Sequence, residues 1–293
     1  MTRLKPCKIG VYGMEEAPGF LAGELRAVGL DARELADLAP KTLAGLDILH
    51  VFYPPTAWRG FVVAKMMGLA TVAHWMGSDV LAVRRGRQRL KLRLSLPFIQ
   101  LHLADSAGLV EELAGLGVRA RFQPVLSDKL GVSDAPWPTE RAVLVYIPPE
   151  RGDFYGVPRA VRLARRMPDV RFRSCGPGPA PADAPPNWEH LGVCDDMSPV
   201  YAGVRVLLRP TSHDGQGRMV LEALARGRRV VWSGRLPNVI TARTDGELDR
   251  AVREALDAGP NRGGQEMVRL FFDRRRSAFR LRDYYRLLVG RAL

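Results

Sequence analysis

Between Pro210 and Trp232 the chain reads PTSHDGQGRMVLEALARGRRVVW. Gly215 and Gly217 flank Gln216 at the start of a helix-like run, so the backbone there can approach a ligand closely and offer it N–H groups. Helix N-termini of this kind bind phosphate. Glu222 follows Arg218 at a spacing of four and Gly215 at seven. That puts it on a polar stripe opening at the glycines, with Met219, Val220, Ala223 and Leu224 turned to the core. A carboxylate one turn inside a phosphate site is placed to accept hydrogen bonds from a sugar diol. Asp214 stands as a second acid just before the glycines. The same spacing also suits a solvated Arg218–Glu222 pair on a surface helix with the glycines as a mere turn, and residue types alone leave both readings open.

The elements that must position these groups belong to a chain of 293 residues, enough for one large domain or two ordinary ones. With 46% hydrophobic and 26% charged residues it reads as globular with a substantial core. Lys and Arg outnumber Asp and Glu by 44 to 31, a net +13. That suits a polyanionic partner: nucleic acid, an anionic membrane or a phosphorylated ligand. Cys7, Cys175 and Cys194 show neither metal spacing nor a disulfide framework, and are read as ordinary reduced residues. The start, MTRLKPCKIGVYG, lacks the apolar core of a signal peptide, and no stretch reaches the roughly 18 apolar residues of a spanning helix, so a cytoplasmic location is expected.

Strand-like KIGVYG, LDILHVFY and ATVAHW alternate with helix-like GFLAGELRAVGL, TAWRGFVVAKMMG and AGLVEELAGLG. Such alternation implies a parallel sheet with crossover helices. The aperiodic SDAPWPTE, residues 133–140, marks a junction, after which the rhythm restarts with RAVLVYIP, YGVPRAVRLARRM and VRFRSCG. The expected fold is α/β: two Rossmann-like domains, 1–133 and 141–263, with ligand bound in a cleft at the carboxyl ends of their strands. The tail, 264–293, is expected to form helices packing back toward the first domain.

HDGQGRMVLEALARGRRVVWS resembles the signature of retaining nucleotide-sugar glycosyltransferases of the GT-B fold: Glu-Gly-Phe-Gly, three variable residues, Leu-Glu-Ala, Met-Ala, Gly and a Val-Val strand. In that family the helix-mouth amides hold the donor diphosphate, the second acid binds the ribose hydroxyls and the first touches the transferred sugar. The resemblance assigns Glu222 to the second role and Asp214, one methylene shorter, to the first, and Gln216 replaces the family's aromatic. VLVYIPPERGDFYGVPRAV resembles the strand and turn that open the donor domain, where an Arg and a Lys reach the diphosphate. Arg151 takes the Lys position, while Ile147-Pro148-Pro149 fill the turn that carries the Arg. SCGPGP, with Gly176, resembles the turn beside the nucleotide base. The segments DILHVFYPPTAWRGFVVAKMMGLATVAHWMGSDV and LADSAGLVEELAGLGV resemble the acceptor-domain core.

The resemblance thus implies a sugar transferase acting from a nucleoside diphosphate sugar on an acceptor, lipid-linked or saccharide, with retention of configuration. Donor contacts are expected from Arg151, Gly176, Gly215, Gln216, Gly217, Arg218 and Glu222. Because helix amides and Arg151 neutralise the diphosphate, no metal or other cofactor is required. The family's His before the Gly-Ser-Asp turn is Met76 here. His74, two residues earlier on the same strand face, is the catalytic candidate beside Asp214, with a satisfied core histidine as the other reading. Gly13 and Asp79 are acceptor-side candidates; Asp79 also suits a purely structural role, binding its own loop's backbone. Arg84, Arg85, Arg87, Arg89, Lys91 and Arg93, interleaved with leucines, form either a solvated basic face or a surface for anionic lipid or a phosphorylated acceptor. That surface would make the protein peripheral on the inner face of a membrane. Nucleic acid is not an expected partner, since no aromatic stacking platform accompanies the arginines. A sugar-nucleotide-binding or scaffolding protein with degraded chemistry is the alternative.

Overall fold

Apolar, β-branched runs form parallel strands because helices cover both faces of such a sheet. The computed structural model describes residues 7–14, 16–84, 86–126, 130–133 and 136–290. The first half runs β1 (Lys8–Tyr12), α1 (Ala17–Ala27), β2 (Asp31–Glu34), α2 (Pro40–Leu43), β3 (Ile48–Phe52), α3 (Trp58–Met66) and β4 (Ala70–Trp75). It continues through α4 (Ser78–Val83), α5 (Gly86–Ser95), β5 (Leu101–Ala104), α6 (Ala107–Ala114) and β6 (Ala120–Phe122). The six strands are parallel in the order β2-β1-β3-β4-β5-β6. Every residue of β3 and β4 is buried. Ile48, Val72 and Leu103 pack on one face, and Leu49, Val51 and Ala73 pack with Phe61 of α3 on the other.

The second half runs β7 (Ala142–Tyr146), α7 (Val157–Arg166), β8 (Arg171–Cys175), β9 (Trp188–His190), α8 (Ser198–Ala202), β10 (Val206–Arg209) and α9 (Arg218–Ala225). Then come β11 (Arg229–Trp232), β12 (Ile240–Thr241), α10 (Asp245–Asp257), α11 (Arg262–Phe271) and α12 (Arg274–Val289). Its sheet, also parallel, has the order β12-β11-β10-β7-β8-β9. Val143, Val145, Phe172, Val206 and Leu208 meet Leu163 of α7 and Val252 of α10 in one core. A capping box, Thr244 with Glu247, starts α10.

The chain divides into unit 1, Met1–Ser127 with Phe272–Leu293, and unit 2, Asp128–Phe271. The return to unit 1 comes eight residues later than the sequence suggested, because α11 packs on α9 and stays with unit 2. Only α12 returns, placing Leu281 and Tyr285 in the unit 1 core beside Ile9 and Leu25. Asp273 caps its start by accepting from the Arg276 N–H at 2.7 Å.

Candidate functional site

Read from β9, the unit 2 sheet runs β9-β8-β7-β10-β11-β12, so the direction of chain progression reverses between β7 and β10. Loops leaving two such strands diverge and open a crevice at their carboxyl ends, where doubly wound sheets bind ligands. After β10 the chain turns through Pro210–Gln216, and Gly217 sits at the N-cap of α9 with no side chain to cap it. The first-turn N–H groups of α9 are therefore not taken by a capping side chain, and the helix dipole adds partial positive charge there.

Two other glycines let neighbouring loops close on this mouth. Gly156, at φ +74, presses on the signature loop so tightly that a Cβ would lie 2.2 Å from the Pro210 carbonyl oxygen. Ser212 N–H donates to the Phe154 carbonyl at 2.8 Å and ties the same two loops together. Gly176, at φ +129, lies against the β7 turn, where a Cβ would be 2.1 Å from the Ile147 oxygen. Any side chain at either position needs both a left-handed backbone and displaced neighbours.

The two acids have different surroundings. Glu222 is only 8% exposed, and the Tyr201 hydroxyl of α8 donates to its Oε2 at 3.0 Å. Burial first, then the Glu222 charge, pushes the Tyr201 hydroxyl well above its usual range, so it stays a donor. Arg218, in contrast, is exposed, and among the described residues no ion pair joins it to Glu222, whose burial excludes the solvated surface pair. The expected polar stripe needs correction: α9 buries its whole run from Val220 to Ala225, and Met219, expected in the core, is half-exposed. Asp214 is clamped. Arg209, at the end of β10, grips it with Nε on Oδ2 and with Nη2 on Oδ1 at 3.2 Å. The Trp232 indole N–H donates to Oδ2 at 3.2 Å. Both charged side chains are largely buried, Arg209 12% and Asp214 15% exposed, and the guanidinium lies 5.6 Å over the Tyr155 ring.

Gly215 and Gln216 are buried beside the mouth. Arg151 is exposed in the β7 turn, stacked 4.2 Å over Phe154, with a left-handed φ of 63°. A non-glycine residue held in that region costs on the order of 1–2 kcal/mol, the kind of outlier found at ligand sites. Tyr201, Arg209 and Trp232 were not anticipated as partners of the two acids. Arg209 alone left a signal, as a charge closing an apolar strand.

The unit 1 candidates separate. His74 is fully buried: its Nε2 bonds the Gln123 carbonyl at 2.8 Å and its Nδ1 faces His50 Nε2 at 3.1 Å. His50 Nδ1 meets the Tyr285 hydroxyl at 2.7 Å. These distances fix one proton order, in which Tyr285 donates to His50, His50 to His74 and His74 to Gln123. Burial lowers the His74 pKa to about 4, so the ring is neutral. The catalytic expectation for His74 is thereby corrected: strand β4 is interior along its whole length, and the core has satisfied the ring.

Asp79, at the start of α4, accepts from the N–H groups of Met76, Gly77 and Val80. Gly13 closes β1 against Phe52. The basic segment is helix α5, with Arg87, Arg89 and Arg93 exposed and Lys91 half-buried. Arg84 precedes it and pairs with Glu112 at 2.8 Å, and Arg85 lies outside the described residues. Among the described residues no group of three His, Cys, Asp or Glu side chains could hold a metal, and no helix is long and apolar enough to cross a membrane.

No known protein-family model matches the chain, and no curated protein sequence matches it. Solved structures do. HepE from Anabaena, in complex with UDP, is similar with a TM-score of 0.74 at 14% identity, over 96% of this chain and 100% of that one. Sucrose-phosphate synthase from Thermosynechococcus elongatus gives 0.73 at 13%, over 97% and 99%. AviGT4, a glycosyltransferase involved in avilamycin A biosynthesis, gives 0.60 at 13%, over 98% and 99%. At these identities the likeness is one of fold, and the fold is the expected GT-B pair of Rossmann-like units.

Proposed function

We propose that this chain is a glycosyltransferase moving a sugar from a nucleoside diphosphate donor to an acceptor hydroxyl, with retention and without a divalent metal. The observation that carries the proposal is the uncapped glycine mouth of α9 at the switch point of unit 2, with Glu222 buried one turn inside it. The mouth's amides take the diphosphate, and Glu222, spending one acceptor site on Tyr201, has lone pairs left for the two ribose hydroxyls. The complex of HepE with UDP supports a uridine nucleotide as the first donor to test.

As the bond from the anomeric carbon to the diphosphate breaks, negative charge grows on the leaving oxygen. Preorganised N–H groups and the guanidinium groups of Arg218 and Arg151 stabilise that charge, the work a metal ion does elsewhere. Asp214 has both oxygens engaged and His74 is sealed in the core of unit 1. Catalysis therefore rests on departure of the diphosphate rather than on a strong base. Retention requires the acceptor to enter on the face the diphosphate leaves.

The same proposal includes membrane docking through α5. Leu90, 59% exposed, and Leu94, 49% exposed, lie one turn apart between Arg87, Arg89 and Arg93, a face suited to anionic lipid on the cytoplasmic side.

The test is a thermal-shift and calorimetric titration with UDP, GDP and ADP. Saturation at a hundredfold excess over Kd stabilises by about 2.7 kcal/mol. Glu222→Ala weakens nucleoside diphosphate binding by about 1.5–3 kcal/mol, as for a charged acceptor lost from a diol. A chelator leaves both binding and turnover unchanged. Absence of any nucleotide response sinks the function, and strict dependence on added Mg²⁺ or Mn²⁺ sinks the metal-free mechanism. Tight UDP binding with no turnover of any UDP-sugar makes the chain a binding protein instead.

A further inference from the structure

Arg209 closes β10 and Tyr146 closes β7, the two strands between which the unit 2 sheet reverses. Val206, Leu208, Val143 and Val145 point into the core with α7 and α10, so alternation turns Arg209 and Tyr146 to the opposite face, side by side at the crevice. Gly217 lets the guanidinium come up against the start of α9, where a Cβ would lie 3.1 Å from Arg209 Nε. The Tyr155 ring backs it at 5.6 Å. Tyr146 senses the same spot. Burial foremost raises its hydroxyl, and the charges of both Arg209 and Arg218 pull it back down. The two arginines therefore act on one place, the mouth of α9.

The Arg209 fork is only partly used. Asp214 takes its Nε and Nη2 edge, and the Trp232 indole N–H takes a further lone pair of Oδ2. Nη1 bonds nothing among the described residues, and it is open to solvent rather than sealed in the core. The ion pair is neutral as a whole, which lets both charges stay largely buried. Asp214 thus fixes the fork and leaves its free edge at the crevice. We infer that Arg209 binds the donor's diphosphate directly, with Nη1 donating to a phosphate oxygen at the α9 mouth and Asp214 as the residue that positions it. Calling that ligand a sugar donor rests on the glycosyltransferase reading; the anion site itself does not. A guanidinium has donors and no acceptor, and its bonds to phosphate oxygens are about twice as strong as neutral ones. Because the fork is already held, little freedom is lost when the phosphate arrives.

Uridine, UDP, UDP-glucose and inorganic pyrophosphate are titrated by calorimetry against the full chain and two variants. Arg209→Met with Asp214→Leu removes the fork without orphaning a buried charge, so it stays folded. Arg209→Lys keeps an ion pair but has no second edge to offer. The paired variant weakens UDP and pyrophosphate at least about tenfold, as for a lost charge-assisted bond, and leaves uridine unchanged. Arg209→Lys weakens both anions by less. Losing the Asp214 carboxylate by itself favours an anion, so weakening in the paired variant belongs to Arg209. The inference is overturned by UDP and pyrophosphate affinities indifferent to the paired variant. Uridine weakened as much as UDP also overturns it, since the clamp then only shapes the loop. A loss confined to UDP-glucose does so too, because it puts Arg209 on the sugar. Pyrophosphate binding that needs Arg209, with no added affinity for UDP, fails the donor reading and leaves the anion site standing. UDP binding that ignores Arg209 does the reverse, and binding of neither anion overturns both.

Discussion

Asp214 engages both carboxylate oxygens within its own unit, and this sets what its removal does. With Arg209 12% exposed, deleting the acid leaves a desolvated guanidinium without its counter-charge. Asp214→Ala should lower the unfolding free energy by about 3–5 kcal/mol, read from urea denaturation at constant slope. Replacing both partners, Arg209→Met with Asp214→Leu, should recover most of that, because the cost lies in the orphaned charge. A single-variant loss under 1 kcal/mol would show that the clamp does not bear on stability. Any loss of turnover in Asp214→Ala is therefore meaningful only where that variant is still folded. Glu222 differs in having, among the described residues, a single side-chain partner, Tyr201. Both residues are acids that bracket the same pair of glycines in the sequence, yet one is a clamp and the other an acceptor with capacity to spare.

At the scale of elements, α12 is joined to the unit 1 sheet by a buried polar chain. Tyr285 and Ser277 project from it to His50 on β3 and to Gln123 after β6, the latter donating to Ser277 Oγ at 2.7 Å. Tyr285→Phe keeps the packing but strips His50 Nδ1 of its donor, so stability should fall by about 1–3 kcal/mol. An unchanged urea midpoint would mean that packing alone docks the helix. Helix α5 calls for a different measurement. If its leucine pair and arginines bind lipid, the protein should sediment with anionic vesicles and be released by salt. Charge reversal at Arg87, Arg89 and Arg93 should abolish sedimentation while sparing UDP binding, and equal binding to neutral vesicles would refute the electrostatic account.

For the molecule as a whole, buried histidines should make stability depend on acid. Burial lowers His74 and His102 to about 4 and His50 well below 6.5. As pH falls from about 6.5 to about 4, the unfolded chain takes up three protons that the folded chain refuses, so stability is lost. Asp79 opposes this. Burial raises its carboxyl to about 6, so between about 6 and 4 the folded state binds that proton first and gains stability. The net is roughly two protons, at about 1.4 kcal/mol each per pH unit. The urea midpoint should be lower at pH 5 than at pH 7, and Asp79→Asn should steepen the fall by removing the opposing group. A flat profile would contradict the interior placement of the histidines.

The two parallel sheets were implicit in the alternation of apolar runs and amphipathic helices, because a strand buried on both faces must be apolar along its whole length, whereas the strand order that sets each switch point was not. β3 and β4 are such strands, and the sequence alone marks them. The glycine mouth and Glu222 were equally visible, since helix N-termini and their first turns are local. The edge strands DARE, ARF, WEH and IT were not, being two to four residues with no period to detect. Side-chain partners lay further out of reach: Tyr201 is 21 residues from Glu222, Trp232 is 18 from Asp214 and Tyr285 is 235 from His50. Such pairs follow from sheet register and helix docking. Phe52 pairs with His74 across β3 and β4, so His50, two residues earlier, shares the same face. That register decided that His74 is a core residue, and the return of α12 decided what satisfies it. Local periodicity determines which segments are buried, but what a buried polar group touches depends on long-range pairing, which only the tertiary structure supplies.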